Sequence, residues 1–97
     1  MAISRAERRV DRKDRVLAIF DEALADPVLD LLELTELAWH DCYGEITPSE
    51  TIVDDILLCS EGDVTKLIQA ARLAVADWRD LKLWAQEVRD NEIQIRP

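Results

Sequence analysis

The sequence predicts an all-α domain of four helices, bundle-like or irregular, with a long first and last helix around a shorter pair. Three observations predict it. Apolar residues recur every three or four positions along most of the chain, the spacing of helices that bury one stripe. Only two glycines and three prolines are present, too little turn material for a fold of many short strands. Helix-start signals stand where the apolar stripes begin, at Ser4-Arg5-Ala6-Glu7, Asp26-Pro27, Thr47-Pro48-Ser49-Glu50 and Asp63. At 97 residues, positions 1–97 read as one domain.

Helix 1 is expected to begin at Ser4, whose hydroxyl can accept from the Glu7 amide in a capping box. Ile3, Ala6, Val10, Leu17 and Leu24 form a narrow apolar stripe on it, with arginines along one side and Glu7, Asp11 and Asp14 along the other. The thin stripe suggests that the arginine-rich start, residues 1–15, projects from the body. No breaker precedes Asp26-Pro27, so the helix is expected to run that far. Asp26 would cap helix 2, with Pro27 as its first residue.

Helix 2, expected from Pro27 to about Tyr43, presents Val28, Leu31, Leu32, Thr35, Ala38, Trp39 and Cys42 as a core face. Its other face sets Leu34 and Leu37 among Asp30, Glu33 and Asp41. Gly44 can take the left-handed conformation that ends it. Helix 3 is expected to start in the second capping box, Thr47 to Glu50, and to run to about Ser60. Ile52, Val53, Ile56 and Cys59 would point inward, and Glu50, Asp54 and Asp55 toward solvent. Gly62 stops it and Asp63 caps helix 4.

Helix 4 carries one long seam, Val64, Leu67, Ala71, Ala74, Trp78, Leu81, Ala85 and Val88, in alternating steps of three and four. Leu73 and Trp84 lie off that seam with Asp77 and Asp80 between them. The tail, residues 91–97, alternates Ile93 and Ile95 with polar residues but has no partner strand, so it reads as coil.

Charge is segregated along the chain. The stretch from Val16 to Asp63 holds thirteen Asp and Glu and no Lys or Arg. Residues 1–15 hold six bases against three acids, a net of +3, which leaves −12 of the formal −9 on the remainder. Such a field favours basic protein partners and repels nucleic acid and anionic membrane. No apolar run reaches the roughly 20 residues that span a bilayer, and no signal-peptide core is present, so a cytoplasmic location is the default expectation. Cys42 and Cys59 sit among apolar residues and are both expected to be reduced and buried.

The residue types argue against catalysis and cofactors. His40 and Cys42, two apart on a helix, point about 160° from each other and cannot share an ion. Adjacent pairs such as Asp54-Asp55 diverge on a helix rather than converge as an acid and a base. Two glycines cannot build a phosphate loop. No metal or cofactor is expected.

The leading expectation is therefore a non-enzymatic acidic interaction module that docks on a basic protein, with inhibition, adaptor and assembly roles all open. Asp30, Glu33, Leu34, Leu37, Asp41, Asp54 and Asp55 would form one contact face, and Leu73, Asp77, Asp80 and Trp84 a second. Two alternatives remain open. One is a structural subunit that pairs with a second copy of itself through helices 1 and 4. The other is a nucleic-acid accessory protein that uses the basic arm of Arg5, Arg8, Arg12 and Arg15.

Overall fold

The computed structural model describes residues 4–95, with side chains described to residue 91, and contains α1 (Arg5–Leu17), α2 (Glu22–Tyr43), α3 (Glu50–Ser60) and α4 (Val64–Ile95). No strand occurs among the described residues. α3 and α2 both pack on α4, and α1 lies against α2. Val28, Leu29, Leu32, Val53, Ile56, Leu67, Ala70, Ala74, Leu81 and Ala85 form the shared core. Buried alanines on α4 let its neighbours approach closely.

Ser4 caps α1 as its sequence predicts, accepting from the Glu7 amide at 3.2 Å, while its hydroxyl donates to the Glu7 carboxylate at 3.1 Å. The packing of that helix differs from expectation. Val10 is 71% exposed and Leu17 is also exposed, whereas Arg8, Arg12 and Val16, spaced i, i+4, i+8, are buried. The helix therefore turns its arginine side inward and does not project. Ile3 lies outside the described residues.

α1 also ends early, at Leu17. Val16 and Phe20 are buried, and the amides of Ile19 and Phe20 both donate to the Val16 carbonyl, which closes a turn that no glycine or proline announces. Asp21, extended at φ −62°, starts α2 one residue later, so Asp26 and Pro27 lie inside that helix. Proline there forgoes one backbone bond near the helix start, and core contacts of Ala25, Val28 and Leu29 outweigh it. Gly44 ends α2 in the left-handed region, φ +75°, as expected.

The second capping box does not form. Ser49 is the N-cap residue of α3 and makes no side-chain cap bond, because Thr47 and Glu50 are drawn to arginines of α1. Asp63 does cap α4, accepting from the Thr65 amide at 2.8 Å. The backbone between α3 and α4 turns through Glu61 and Gly62, both at positive φ. α4 continues through the residues expected as coil, as far as Ile95. Residues 96–97 lie outside the described residues.

α4 is broken once. Asp77 is extended (φ −160°, ψ 91°), which divides it into residues 64–76 and 78–95. The Asp77 carboxylate accepts from the Arg79 amide at 3.1 Å and so caps the second part. That amide would otherwise serve the Val75 carbonyl, which instead accepts from the Tyr43 hydroxyl at 2.8 Å. These two groups at the break are thereby satisfied.

Candidate functional site

The i, i+4 spacing of Arg8 and Arg12 brings two guanidinium groups onto one carboxylate. Arg8 donates from Nε and Nη2 to the two oxygens of Glu36, at 2.7 and 3.0 Å. Arg12 donates from Nη1 to the same Glu36 at 2.5 Å, and from Nη2 to Thr47 Oγ1 at 3.3 Å and Glu50 at 3.1 Å. Arg15 continues the line to Glu50, at 2.8 Å, and to Asp54. On the flank, Arg9 binds Asp30 at 2.8 Å, Glu33 at 3.0 Å and Asp26 at 3.3 Å. Arg5 is 3.9 Å from Glu36 and remains half exposed.

Of the basic arm, Arg15 is thus joined to Asp54, one of the expected acidic contacts, while Arg8 and Arg12 are joined to Glu36, and Asp30 and Glu33 are held by Arg9. Glu36, the hub, escaped the sequence reading. Its signal was its register: Ala25, Leu29, Leu32 and Glu36 share one helical face, and an acid at such a position needs an internal partner.

Electrostatics follow the contacts. Burial alone would raise the Glu36 carboxyl, but the hydrogen bonds of Arg8 and Arg12 outweigh it and hold the group below its ordinary range. Glu50 is lowered in the same way, against its own desolvation, by Arg15 and Arg12. The bond to Glu36 raises Arg8, and the bonds to Asp30 and Glu33 raise Arg9.

Asp55 corrects the expectation of a solvent-facing residue. It is 3% exposed and accepts from Lys82 at 3.1 Å and Arg89 at 2.8 Å, which ties α3 to residues 78–95. One turn on, burial and then the Asp55 charge push the Cys59 thiol up to about 12. Cys59 is buried as expected, but Cys42 is exposed.

Between α2 and residues 64–76 runs an apolar groove of about 610 Å3, floored by Leu31, Ala38, Ala71 and Val75. A recess of about 300 Å3, reaching Leu24 and Val64, continues it through the shared residues Leu31, Leu34 and Ile68. Leu34 is 61% and Ile68 51% exposed along it, and Leu37, elsewhere on the surface of α2, is 45% exposed. Leu34 and Leu37 are therefore surface residues of α2. Leu73 and Trp84 are half-buried against the core, with Asp77 and Asp80 exposed.

His40 donates from Nδ1 to the Glu45 carbonyl (3.1 Å). Among the described residues no group of three or more His, Cys, Asp and Glu side chains is placed to hold a metal ion, and no helix is long and apolar enough to cross a membrane. The arrangement can bind by charge and by apolar contact. No protein-family model, no curated protein and no solved structure matches the chain.

Proposed function

We propose that the protein is a non-enzymatic acidic interaction module that docks on a basic protein surface and inhibits its partner by covering it. The observation that carries this reading is the outer face of residues 78–95. There Asp80 and Glu87 are exposed and make no ion pair among the described residues, one helical turn on either side of half-buried Trp84. Most acids of α2 and α3 are neutralised by internal bases, whereas Asp80 and Glu87 keep their charge for steering a basic partner.

In this reading Trp84 supplies the desolvated contact and the carboxylates supply attraction at a distance. The unbridged thiols suit a reducing compartment, and the cytoplasm is the proposed location. A nucleic-acid role has less support, because Arg8 and Arg12 are spent on Glu36 inside the fold.

The test is a pull-down from native lysate with tagged wild type and with an Asp80→Lys, Glu87→Lys variant, with nuclease added and salt varied. A basic protein recovered by the wild type, released by salt and lost from the variant supports the reading. Recovery that the charge reversal leaves unchanged, or that nuclease abolishes, overturns it.

A further inference from the structure

The groove between α2 and residues 64–76 plays no part in the docking face just described, yet it exposes a contiguous row of large apolar side chains. Leu34, Val64 and Ile68, which line it and its recess, are each more than 40% exposed. Contiguous apolar surface of this kind marks an interaction site. Its charge is unlike that of the rest of the molecule. Among the residues that line the groove and its recess only Asp30 and Arg72 are charged, and Asp30 is already bonded by Arg9. On a chain of net −9, this face can therefore meet another −9 chain with Asp30, held by Arg9, as its one lining carboxylate. We propose that it is the face on which two copies of this chain pair.

The rims support a two-fold arrangement. Asp41 stands on the α2 rim, and Arg72 on the α4 rim. Both are exposed, and neither makes an ion pair among the described residues. α2 and residues 64–76 run in the same direction, since Leu24 shares its recess with Val64 and Tyr43 bonds Val75. Pairing that lays α2 of each copy on α4 of the other sets Leu34 into the opposite groove. It also brings Asp41 of each copy to Arg72 of the other, so the contact is made twice, as an isologous interface requires.

The size is adequate. From Leu24 to Cys42 the face is about 27 Å long, and two helices make it about 20 Å wide. That is of the order of the roughly 800 Å2 per partner found in stable complexes. A basic helix would meet Arg72 as a repulsive neighbour and would find few carboxylates on the floor, so a second copy fits better than the partner proposed for residues 78–95.

Sedimentation equilibrium over a range of concentrations tests the pairing, with circular dichroism confirming that each variant is helical. Wild type is expected to dimerise and Leu34→Asp to remain monomeric. Arg72→Asp is expected to weaken the dimer about tenfold or more, and adding Asp41→Arg to restore it. Cys42 edges the groove whereas Cys59 is buried, so alkylation of Cys42 in reduced wild type should slow as concentration rises. This last readout needs no variant to fold.

A wild type that stays monomeric and reacts at a constant rate overturns the proposal, as does a dimer indifferent to both Leu34→Asp and the charge exchange. A monomer whose Cys42 is protected only by a synthetic Lys/Leu amphipathic helix overturns it in favour of a heterologous helix. None of these outcomes depends on Asp80 or Glu87, so this proposal and the basic-partner reading fail separately.

Discussion

Arg12 and Glu36 meet at 2.5 Å with both side chains 2% exposed, so the first helix is fastened to the second by a buried ion pair. Removing one member of such a pair strands the other charge in the interior, at a cost of about 3–5 kcal/mol. Glu36→Ala takes the shared carboxylate from two guanidinium groups at once, while Arg12 keeps Thr47 and Glu50, so urea denaturation should show a loss within that range. A Glu36→Leu, Arg8→Leu, Arg12→Met combination removes charge and counter-charge together. It should recover most of the loss, which separates the cost of an unpaired charge from that of lost packing.

Acid should loosen the same fastening. The Glu36 and Glu50 carboxyls are lower in the folded chain than in the unfolded one, so the unfolded chain binds their protons more readily. Their contribution is complete above the ordinary carboxylate value near 4.5 and is lost as pH falls through the lowered folded values. Denaturation midpoints should therefore stay level from neutral pH to about pH 5 and fall below it. In Glu36→Gln the decline should be shallower, which urea titrations at several pH values would show.

At the break in α4, Tyr43 and Asp77 serve the two ends of one missing backbone bond. Tyr43→Phe removes the donor to the Val75 carbonyl and should cost about 0.5–1.5 kcal/mol. Asp77→Ala removes the cap on the Arg79 amide, worth about 1 kcal/mol. Without the cap the Arg79 amide can return to Val75, so the double variant should lose less than the two single losses together. A double-mutant cycle measures this coupling.

The two glycines should respond unequally to alanine. Both have positive φ, which costs an alanine about 1–2 kcal/mol. A Cβ at Gly44 meets nothing within 4 Å, whereas one at Gly62 would lie 3.1 Å from the Ile19 carbonyl oxygen. Gly44→Ala should stay within that conformational cost. Gly62→Ala should exceed it, because the α3–α4 turn must draw away from the α1–α2 turn, and thermal melts of the two variants make the comparison.

Those features legible in the sequence are the ones decided by a few neighbouring residues. The Ser4 and Asp63 caps, the Gly44 stop and the α4 seam from Leu67 to Val88 depend on local bonds or on helical period alone. Illegible features were settled at long range. Thr47 and Glu50 read as a capping box, but Arg12, more than thirty residues away, claims both side chains. The turn after Leu17 carries no punctuation because buried Val16 and Phe20 place it. The candidate site divides the same way. The helical wheel sets Leu34 and Leu37 off the core face of α2, but their exposure, like the occupation of Asp30, Glu33, Asp54 and Asp55 by internal bases, requires the tertiary fold.

α1 contributes Val16 as its one buried apolar side chain and otherwise rests on ionic contacts, whereas the remaining helices share the core. Cooperative opening free energies track buried apolar contact, so the chain has two tiers. Amides of α1 should exchange with solvent as one early unit and should do so faster at high ionic strength. Those at Ile56, Ala70 and Leu81 should open only with the whole molecule.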